Sequence, residues 1–427
     1  MTASAVAAAL ERARGAGRLL RERPADRVHD VLADLLDAWS LPDSPWQKAL
    51  VEALPQAAGF SAACVREGLA RGLAPFTGEA LRALARTELT GARATGFETT
   101  AVVLAGAIPM PTLLAIAAPL ALRSPVVVKP SAHDPVTASL VARSLAELDP
   151  LLGACVEVVD FRRDDEAAVA ALCAADCLVA NGSDEAVSAL AARVPPESAR
   201  PRRFVGYGHR FSLSLLGPGA TRGESLARAA EGLALDIALW DQLGCLSPVS
   251  VHAVDPDPRA ADRVVEALAG ALTRAEARWP RGRIDLAAAA AIAHERAEAE
   301  MRAAGARAGF RGPAVCVLAS AGTAWTVVRE TDAALRAAPL HRFARVHPAA
   351  DVDACLEALR ADAAHLAGVA MAGFGSAGAP LAAALAELGA SRVCAPGALQ
   401  APPLAWHRDN QGVLVPLARF SDIEATG

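Results

Sequence analysis

Eight cysteines stand at positions 64, 155, 173, 177, 245, 316, 355 and 394, and Cys245 is set apart from the other seven by its surroundings. A helical stretch ending near Trp240-Asp241-Gln242 runs into Leu243-Gly244-Cys245-Leu246-Ser247-Pro248, and a strand begins at Val249. A thiol on such a Gly-Pro turn can face a cleft, and its backbone amide can point at a bound oxyanion. A thiolate is intrinsically nucleophilic, and a depressed pKa or a nearby base would raise its population. The same spacing is equally compatible with a cysteine buried in a loop. His209, in Tyr207-Gly208-His209-Arg210, is a candidate acid or base near neutral pH, and Arg210 could hold a phosphate or carboxylate. A lone His beside Gly also serves structural ends.

Among 42 basic residues only Lys48 and Lys129 are Lys, so each invites inspection. Lys129 ends the apolar run Pro125-Val126-Val127-Val128 and is followed by Pro130, Ser131 and Asp134-Pro135, read as a helix N-cap with Pro in the first helical position. That places Lys129 at the carboxyl edge of a parallel sheet, where open α/β folds bind ligands, although a solvated surface Lys is the plainer alternative. A second strand-turn-helix unit is Leu178-Val179-Ala180-Asn181-Gly182-Ser183, followed by Asp184 and Glu185. Gly182 permits close backbone approach, Ser183 is a natural N-cap, and the first-turn amides could hold a pyrophosphate; Asp184 and Glu185 could as well be ordinary capping acids. No Gly-x-Gly-x-x-Gly fingerprint with a downstream ribose acid is present, so a conventional dinucleotide fold is not indicated. Cys173 and Cys177 have helical spacing but no second Cys or His pair to complete a metal site, and read as structural thiols. Trp406-His407 with Asp409 lies in a Pro-rich tail and reads as a site element or a packing clasp.

The elements that must position these groups follow from periodicity. Residues 1–89 are Ala-, Leu- and Arg-rich with helical spacing and form a helical N-terminal segment. Short β-branched runs then alternate with helices: 99–104, 125–128, 156–160, 178–180 and 203–206, then a second set from Phe211 that includes 249–254, 314–318, 325–329 and 368–371. Strands spaced this way imply parallel sheets with right-handed crossovers. The fold class is α/β, with two domains: 90–207 for the cofactor, 208–395 carrying the thiol, and 396–427 as a tail packing back. The stretch from Gly305 to Gly312 reads as an exposed connection, and the alanines at 287–291 as a helix interior.

Bulk properties exclude several classes. A chain of 427 residues, 53% hydrophobic and 21% charged, buries a large core, and a net charge of -5 without long runs of one sign gives no nucleic-acid footprint. The uncharged run from Ala101 to Leu122 is long enough for a membrane span, but Gly106, Pro109, Pro111 and Pro119 interrupt it, and strand, turn and buried helix is the expected reading. No basic-then-apolar signal segment opens the chain, and the thiols need no disulfides, so a reducing cytoplasm is expected.

In order, these pieces resemble the aldehyde dehydrogenase superfamily, and within it the LuxC-like acyl-CoA reductases. The resemblance spans nearly the whole chain. It is carried by Glu52-Ala53-Leu54-Pro55, Gly59-Phe60-Ser61, Val128-Lys129-Pro130-Ser131, Asn181-Gly182-Ser183-Asp184-Glu185, Gly206-Tyr207-Gly208-His209-Arg210, Asp241-Gln242-Leu243-Gly244-Cys245-Leu246-Ser247-Pro248, and Gly397, Gln400, Pro402 and Trp406-His407 in the tail. It implies an aldehyde-dehydrogenase-like fold and Cys245 as the acyl-accepting nucleophile. Lys129 becomes a ligand of the adenosine ribose, with Ser131 in the same cofactor-binding set, and Gly182 and Ser183 the turn under the pyrophosphate. Relatives usually pair through sheet extension, which implies a homo-oligomer.

Departures from the family pattern carry their own expectations. Ala132 stands where many relatives place a ribose-binding Glu; without that carboxylate a 2′-phosphate is not repelled, which favours NADPH while leaving NADH possible. Relatives that oxidise aldehydes use a Glu to activate water, and the matching strand end here offers Gly206-Tyr207-Gly208-His209 instead. The direction implied is reduction of an acyl-CoA, or another activated acyl donor, with His209 shuttling the proton. Ala107, in Gly106-Ala107-Ile108-Pro109, replaces a common oxyanion-donating Asn, a loss that typically costs about a hundredfold in rate. Two rivals stay open: reduction of an acyl phosphate, and a scaffold that binds acyl-CoA or nucleotide without turnover.

Overall fold

The structure is a computed structural model that describes residues 1–91, 93–194, 202–307 and 315–424. Two compact units are present: Met1–Ala58, Leu69–His209 and Pro403–Gly427 form the first, and Gly59–Gly68 with Arg210–Pro402 the second.

In the first unit β1 (Arg93–Thr95) stands apart from a sheet of β2 (Thr100–Val103), β3 (Val126–Lys129), β4 (Val156–Val158), β5 (Cys177–Asn181) and β6 (Arg203–Tyr207). The order is β4-β3-β2-β5-β6 and every pair is parallel. The chain winds outward from β2 to β4 and then returns to β5 on the other side, so the strand order reverses between β2 and β5, the usual place for a ligand crevice in such sheets. The strands are short β-branched runs because both faces are covered; Val126, Val127 and Val128 are wholly buried. The N-terminal helix Ala3–Glu22 covers one face with Val6, Ala9, Leu10 and Ala13, a spacing of three and four residues, packed with Val127, Val159 and Phe161.

The apolar run folds as strand, turn and buried helix. Gly106 takes the left-handed φ of +80° that the turn requires, and the helix is Pro109–Ala121. Pro111 and Pro119 do not interrupt this helix. Pro111 lies in the first turn, where amides have no helical partner, and Pro119 in the last. Among the described residues no helix is long and apolar enough to cross a membrane.

The second unit holds β7 (Phe211–Leu216), β8 (Pro248–Val254), β9 (Cys316–Ala319), β10 (Thr326–Arg329), β11 (Phe343–Ala349), β12 (Leu366–Ala372) and β13 (Arg392–Cys394). The order is β13-β12-β7-β8-β11-β10-β9, parallel throughout except for the edge strand β9. Leu213, Leu215, Val369, Leu381 and Leu385 pack one part of its core, and Ile292, Ala299, Val328 and Phe343 another. The tail returns to the first unit, where β14 (Arg419–Ser421) pairs antiparallel with β1.

Several boundaries differ from the sequence reading. Cys173 ends one helix and Cys177 begins β5, so the two thiols do not share a helix. Gly305 belongs to the helix Leu286–Arg307, and the rest of the expected connection, from 308, lies outside the described residues. The helix before the thiol ends at Ala238; Trp240, Asp241 and Gln242 then take left-handed φ values of 56°, 49° and 64°.

Candidate active site

Lys129, Ser131, Gly182 and Ser183 all follow strands at the carboxyl edge of the first unit's sheet, Lys129 as the last residue of β3 and Gly182 just after β5. Burial lowers the Lys129 pKa, opposed by the nearby Asp160 carboxylate. Its ammonium lies 5.4 Å from the centre of the Phe161 ring and donates to the Pro130 carbonyl over 3.4 Å. An ammonium carries three donors, so this one retains capacity for a hydroxyl or phosphate oxygen. Ser131 is buried and its Oγ accepts from the His133 amide at 3.1 Å. The following helix, Thr137–Leu148, starts two residues after Pro135 rather than at it. Asp134 still leads into it, its Oδ1 accepting from the amides of Val136 at 3.2 Å and Thr137 at 3.0 Å.

The turn at Gly182 is more occupied than an anion cradle would be. Ser183 does cap the helix Asp184–Ala191, accepting from Ala186 N at 3.3 Å. The Gly182 amide, however, is given to the Tyr207 carbonyl at 3.1 Å. The Glu185 carboxylate is held below its usual range first by its own amide and then by the Ser183 hydroxyl. The chain's own acid thus competes for this helix end. The turn is also knitted from the side: Asn181 Nδ2 donates to the Val103 carbonyl and Asn181 Oδ1 accepts from Arg408, each at 3.0 Å, while the Arg408 guanidinium lies 4.4 Å from the Tyr207 ring centre. Arg408, next to His407, makes this stretch of the tail a clasp within the first unit. Of these groups, the Lys129 ammonium keeps more donor capacity for a ligand oxygen than the helix terminus does. His209 is exposed just beyond β6, its amide donating to Asp184 Oδ1 at 2.9 Å. Ala107 is buried and supplies no side-chain donor.

Cys245 belongs to the second unit, three residues before β8, and is half-buried. Its turn is bonded on four sides. Ser212 Oγ donates to the Cys245 carbonyl at 2.7 Å and accepts from Gly368 N at 3.0 Å. Gln242 Nε2 donates to the carbonyls of Pro248 at 2.8 Å and Phe343 at 3.0 Å, and its Oε1 accepts from Phe343 N at 2.8 Å. Asp241 Oδ1 accepts from Arg342 at 3.0 and 2.6 Å. Gln400 Nε2 donates to Ser247 Oγ at 3.1 Å and to the Asp236 carbonyl at 3.0 Å. The Asp236 carboxylate accepts from Gly397 N at 2.6 Å and Leu399 N at 3.1 Å, and burial pushes its pKa up to about 7.

These bonds fix the backbone of the turn that carries the Cys245 thiol. The remaining cysteines are poorer candidates. Burial pushes Cys64, Cys155, Cys177 and Cys355 up to about 12 and Cys394 up to about 11, and raises Cys173. Cys316 is exposed on the edge strand. Arg342 and Ser212 carried no sequence signal as supports of the thiol, since neither lies near it in the chain.

Comparison with known proteins agrees with this architecture. Among solved structures the chain is similar to a putative methylmalonate-semialdehyde dehydrogenase from Sinorhizobium meliloti complexed with NAD, at 15% identity and a TM-score of 0.73, covering 99% of this chain and 89% of that one. Aldehyde dehydrogenase 21 from Physcomitrella patens, in complex with the reaction product succinate, gives 12% identity and a TM-score of 0.75 over 99% and 90% of the two chains. An oxidoreductase from Marinobacter aquaeolei gives 14% and 0.76 over the same shares. At these identities the likeness shows the aldehyde dehydrogenase fold. A search of curated proteins by sequence found no significant match. The family profile described as "Acyl-CoA reductase (LuxC)" matches residues 20–421, nearly the whole chain. The protein is therefore an aldehyde-dehydrogenase-fold oxidoreductase and belongs to the LuxC family of acyl-CoA reductases.

Proposed function

We propose that the protein reduces an acyl-CoA, with a fatty acyl group as the leading candidate, to the aldehyde through an acyl thioester on Cys245, using NADPH. The single observation that carries this reading is the half-buried Cys245 thiol on a turn fixed by Ser212, Gln242, Asp241 and Gln400.

Cys245 Sγ attacks the acyl carbonyl and the donor's thiolate leaves, which exchanges one thioester for another. The turn's rigidity holds the sulfur in line with its target. When bound, the nicotinamide supplies a hydride; Lys129 and Ser131 hold its adenosine end, with Gly182 and Ser183 beside the pyrophosphate. His209 gives a proton to the developing alkoxide and recovers it as the thiohemiacetal collapses, returning the Cys245 thiolate and releasing aldehyde. No carboxylate stands at Gly206-Tyr207-Gly208-His209 to activate water against the acyl-enzyme, which favours reduction over hydrolysis.

Incubation with an acyl-CoA in the absence of cofactor should add one acyl mass, mapped to Cys245 by peptide mass spectrometry. Undiminished aldehyde formation by Cys245→Ser would sink the assignment. NADPH over NADH rests on the exposed Ala132, and Ala132→Glu should shift the ratio of kcat/KM values toward NADH. A donor panel of acyl-CoA and acyl phosphate, read by NADPH absorbance, identifies the activated acyl group.

A further inference from the structure

Beside the thiol's turn lies a group of side chains that the proposed reaction does not use: Glu276, Arg281, Thr323, His341 and Arg342, gathered on Asp241, all in the second unit. Arg342 is balanced by two carboxylates, Asp241 at 2.6 Å and Glu276 at 2.7 Å. Arg281 is not. Its Nη2 donates to Thr323 Oγ1 at 2.8 Å, while Nε and Nη1 are buried and have no acceptor among the described residues. Burial lowers its pKa, and the nearby Asp241 and Glu276 do not restore it against Arg342. Arg296 and Arg392 differ: their guanidinium groups donate to the carbonyls of residues 322 and 325 and the Thr326 hydroxyl, and to the carbonyls of residues 398, 399 and 401, respectively. A buried guanidinium N–H without an acceptor is costly, so Arg281 has donors held ready for an oxygen.

His341 adds a second such group. It sits in a left-handed triplet, residues 340–342, with φ of 65°, 56° and 66°, and its Nδ1 is buried with no partner among the described residues. Burial lowers its pKa, with Asp241, Arg281 and Asp285 the charges that bear on it. Left-handed backbone in residues with side chains is strained and persists where surrounding bonds enforce it. Here the enforcing bonds run to the thiol's turn. Arg342, the next residue, grips Asp241, and Gly282, next to Arg281, donates to Asp241 Oδ2 at 3.0 Å. Asp241 precedes Cys245 by four residues, and Gln242 spans the same turn to Pro248.

We propose that Arg281 and His341 form an oxyanion-recognition site for the acyl donor, taking a phosphate of its carrier arm or a carboxylate at the far end of its acyl chain. This rests on the assignment of Cys245 as acyl acceptor. Arg281 supplies two N–H donors and charge, and His341 a third donor from the neutral imidazole.

The test is single-turnover acylation of Cys245, followed by intact mass at subsaturating donor, with three thioesters: an acyl-CoA, the N-acetylcysteamine thioester of the same acid, and an N-acetylcysteamine monothioester of a dicarboxylic acid. Arg281→Met and His341→Gln should each slow acylation about tenfold or more with an anionic donor and leave the neutral one unchanged. Loss confined to the CoA donor identifies a phosphate, and loss confined to the dicarboxylic donor a carboxylate. Equal rates of variant and parent with all three overturn the proposal, and so does equal loss with all three, which marks mere support of the turn. In the unaltered chain, inorganic phosphate or acetate should slow acylation by the donor each mimics and spare the neutral thioester; absence of both effects overturns the site without any variant. If the parent's Cys245 accepts no acyl group from any donor, the thiol assignment fails and takes the site with it. If Cys245 is acylated and the variants match the parent, the site alone fails.

Discussion

Gln242 shows how much of a nucleophile's placement lies outside the nucleophile. Its one amide side chain answers three backbone groups, the Pro248 and Phe343 carbonyls and the Phe343 amide, all buried. Gln242→Ala removes these bonds together and should cost about 1–3 kcal/mol or more in urea unfolding, because buried polar groups are left without partners. The same variant should change the rate at which iodoacetamide alkylates Cys245, since the turn is no longer closed at Pro248. Gln242→Glu should be worse, as a carboxylate would then face two carbonyls; stability equal to that of the parent would show the bonds to be unimportant. The turn that carries Cys245 was legible from sequence because Gly244 and Pro248 bracket it just ahead of a strand. Its supports were not. Ser212, Arg342 and Gln400 lie 33, 97 and 155 residues away in the chain and are brought to the turn only by parallel strands that pair in an order unlike the sequence order.

At the scale of elements, the strands that sequence revealed are those dominated by apolar and β-branched residues. β3 is wholly Val before its final Lys, and β2, β5 and β8 read almost as plainly. β11 was missed because it carries Arg345, His347 and Pro348 in its run, and Arg345 is nonetheless 2% exposed. Its charge is met inside the fold: Glu330, wholly buried just after β10, takes Arg345 Nη1 at 2.5 Å and Arg302 Nη1 at 2.7 Å, with Arg336 at 3.6 Å. Arg302 comes from the helix Leu286–Arg307, so this carboxylate ties that helix to the strands. Glu330→Gln keeps the shape and removes the charge, leaving guanidinium groups buried without balance. The expected cost is about 3–5 kcal/mol in guanidinium unfolding, with faster hydrogen exchange in the helix than elsewhere. A loss under 1 kcal/mol would refute this account. The left-handed triplets at 240–242 and 340–342 were invisible for a different reason: neither contains Gly, and the two segments meet through bonds between residues far apart in sequence, Asp241 with Arg342 and Gln242 with Phe343.

Across the whole molecule, composition and periodicity fixed an α/β chain of two parallel-sheet units, because alternation of strand and helix is a local signal repeated many times. What composition could not show is how the chain's response to pH is set by a few buried groups of opposite sign. His252 and His347 stand side by side on β8 and β11, rings stacked at 4.9 Å, each bonded to a loop carbonyl, and burial takes them down to about 3 and about 4. In the unfolded chain both titrate near 6.5. As pH falls below that value the unfolded state binds protons that the folded state refuses, so stability drops by up to about 1.4 kcal/mol per pH unit for each histidine. Asp236 works in the opposite sense. With a folded pKa of about 7 against 3.8 unfolded, it holds a proton that the unfolded chain has released, and stability rises as pH falls through that window. Two histidines outweigh one aspartate, so stability should fall as pH drops from 7 to 5, with a net slope below pH 6.5 of up to about 1.4 kcal/mol per pH unit, half of what the histidines alone would give. Replacing one contribution exposes the other: His252→Asn keeps a donor for the Ala333 carbonyl but cannot titrate, and in urea unfolding from pH 7 to 5 it should be more stable at pH 5 relative to pH 7 than the parent, the relative gain approaching about 1.4 kcal/mol per pH unit. A pH dependence identical to the parent's would mean that the stacked pair does not titrate on unfolding.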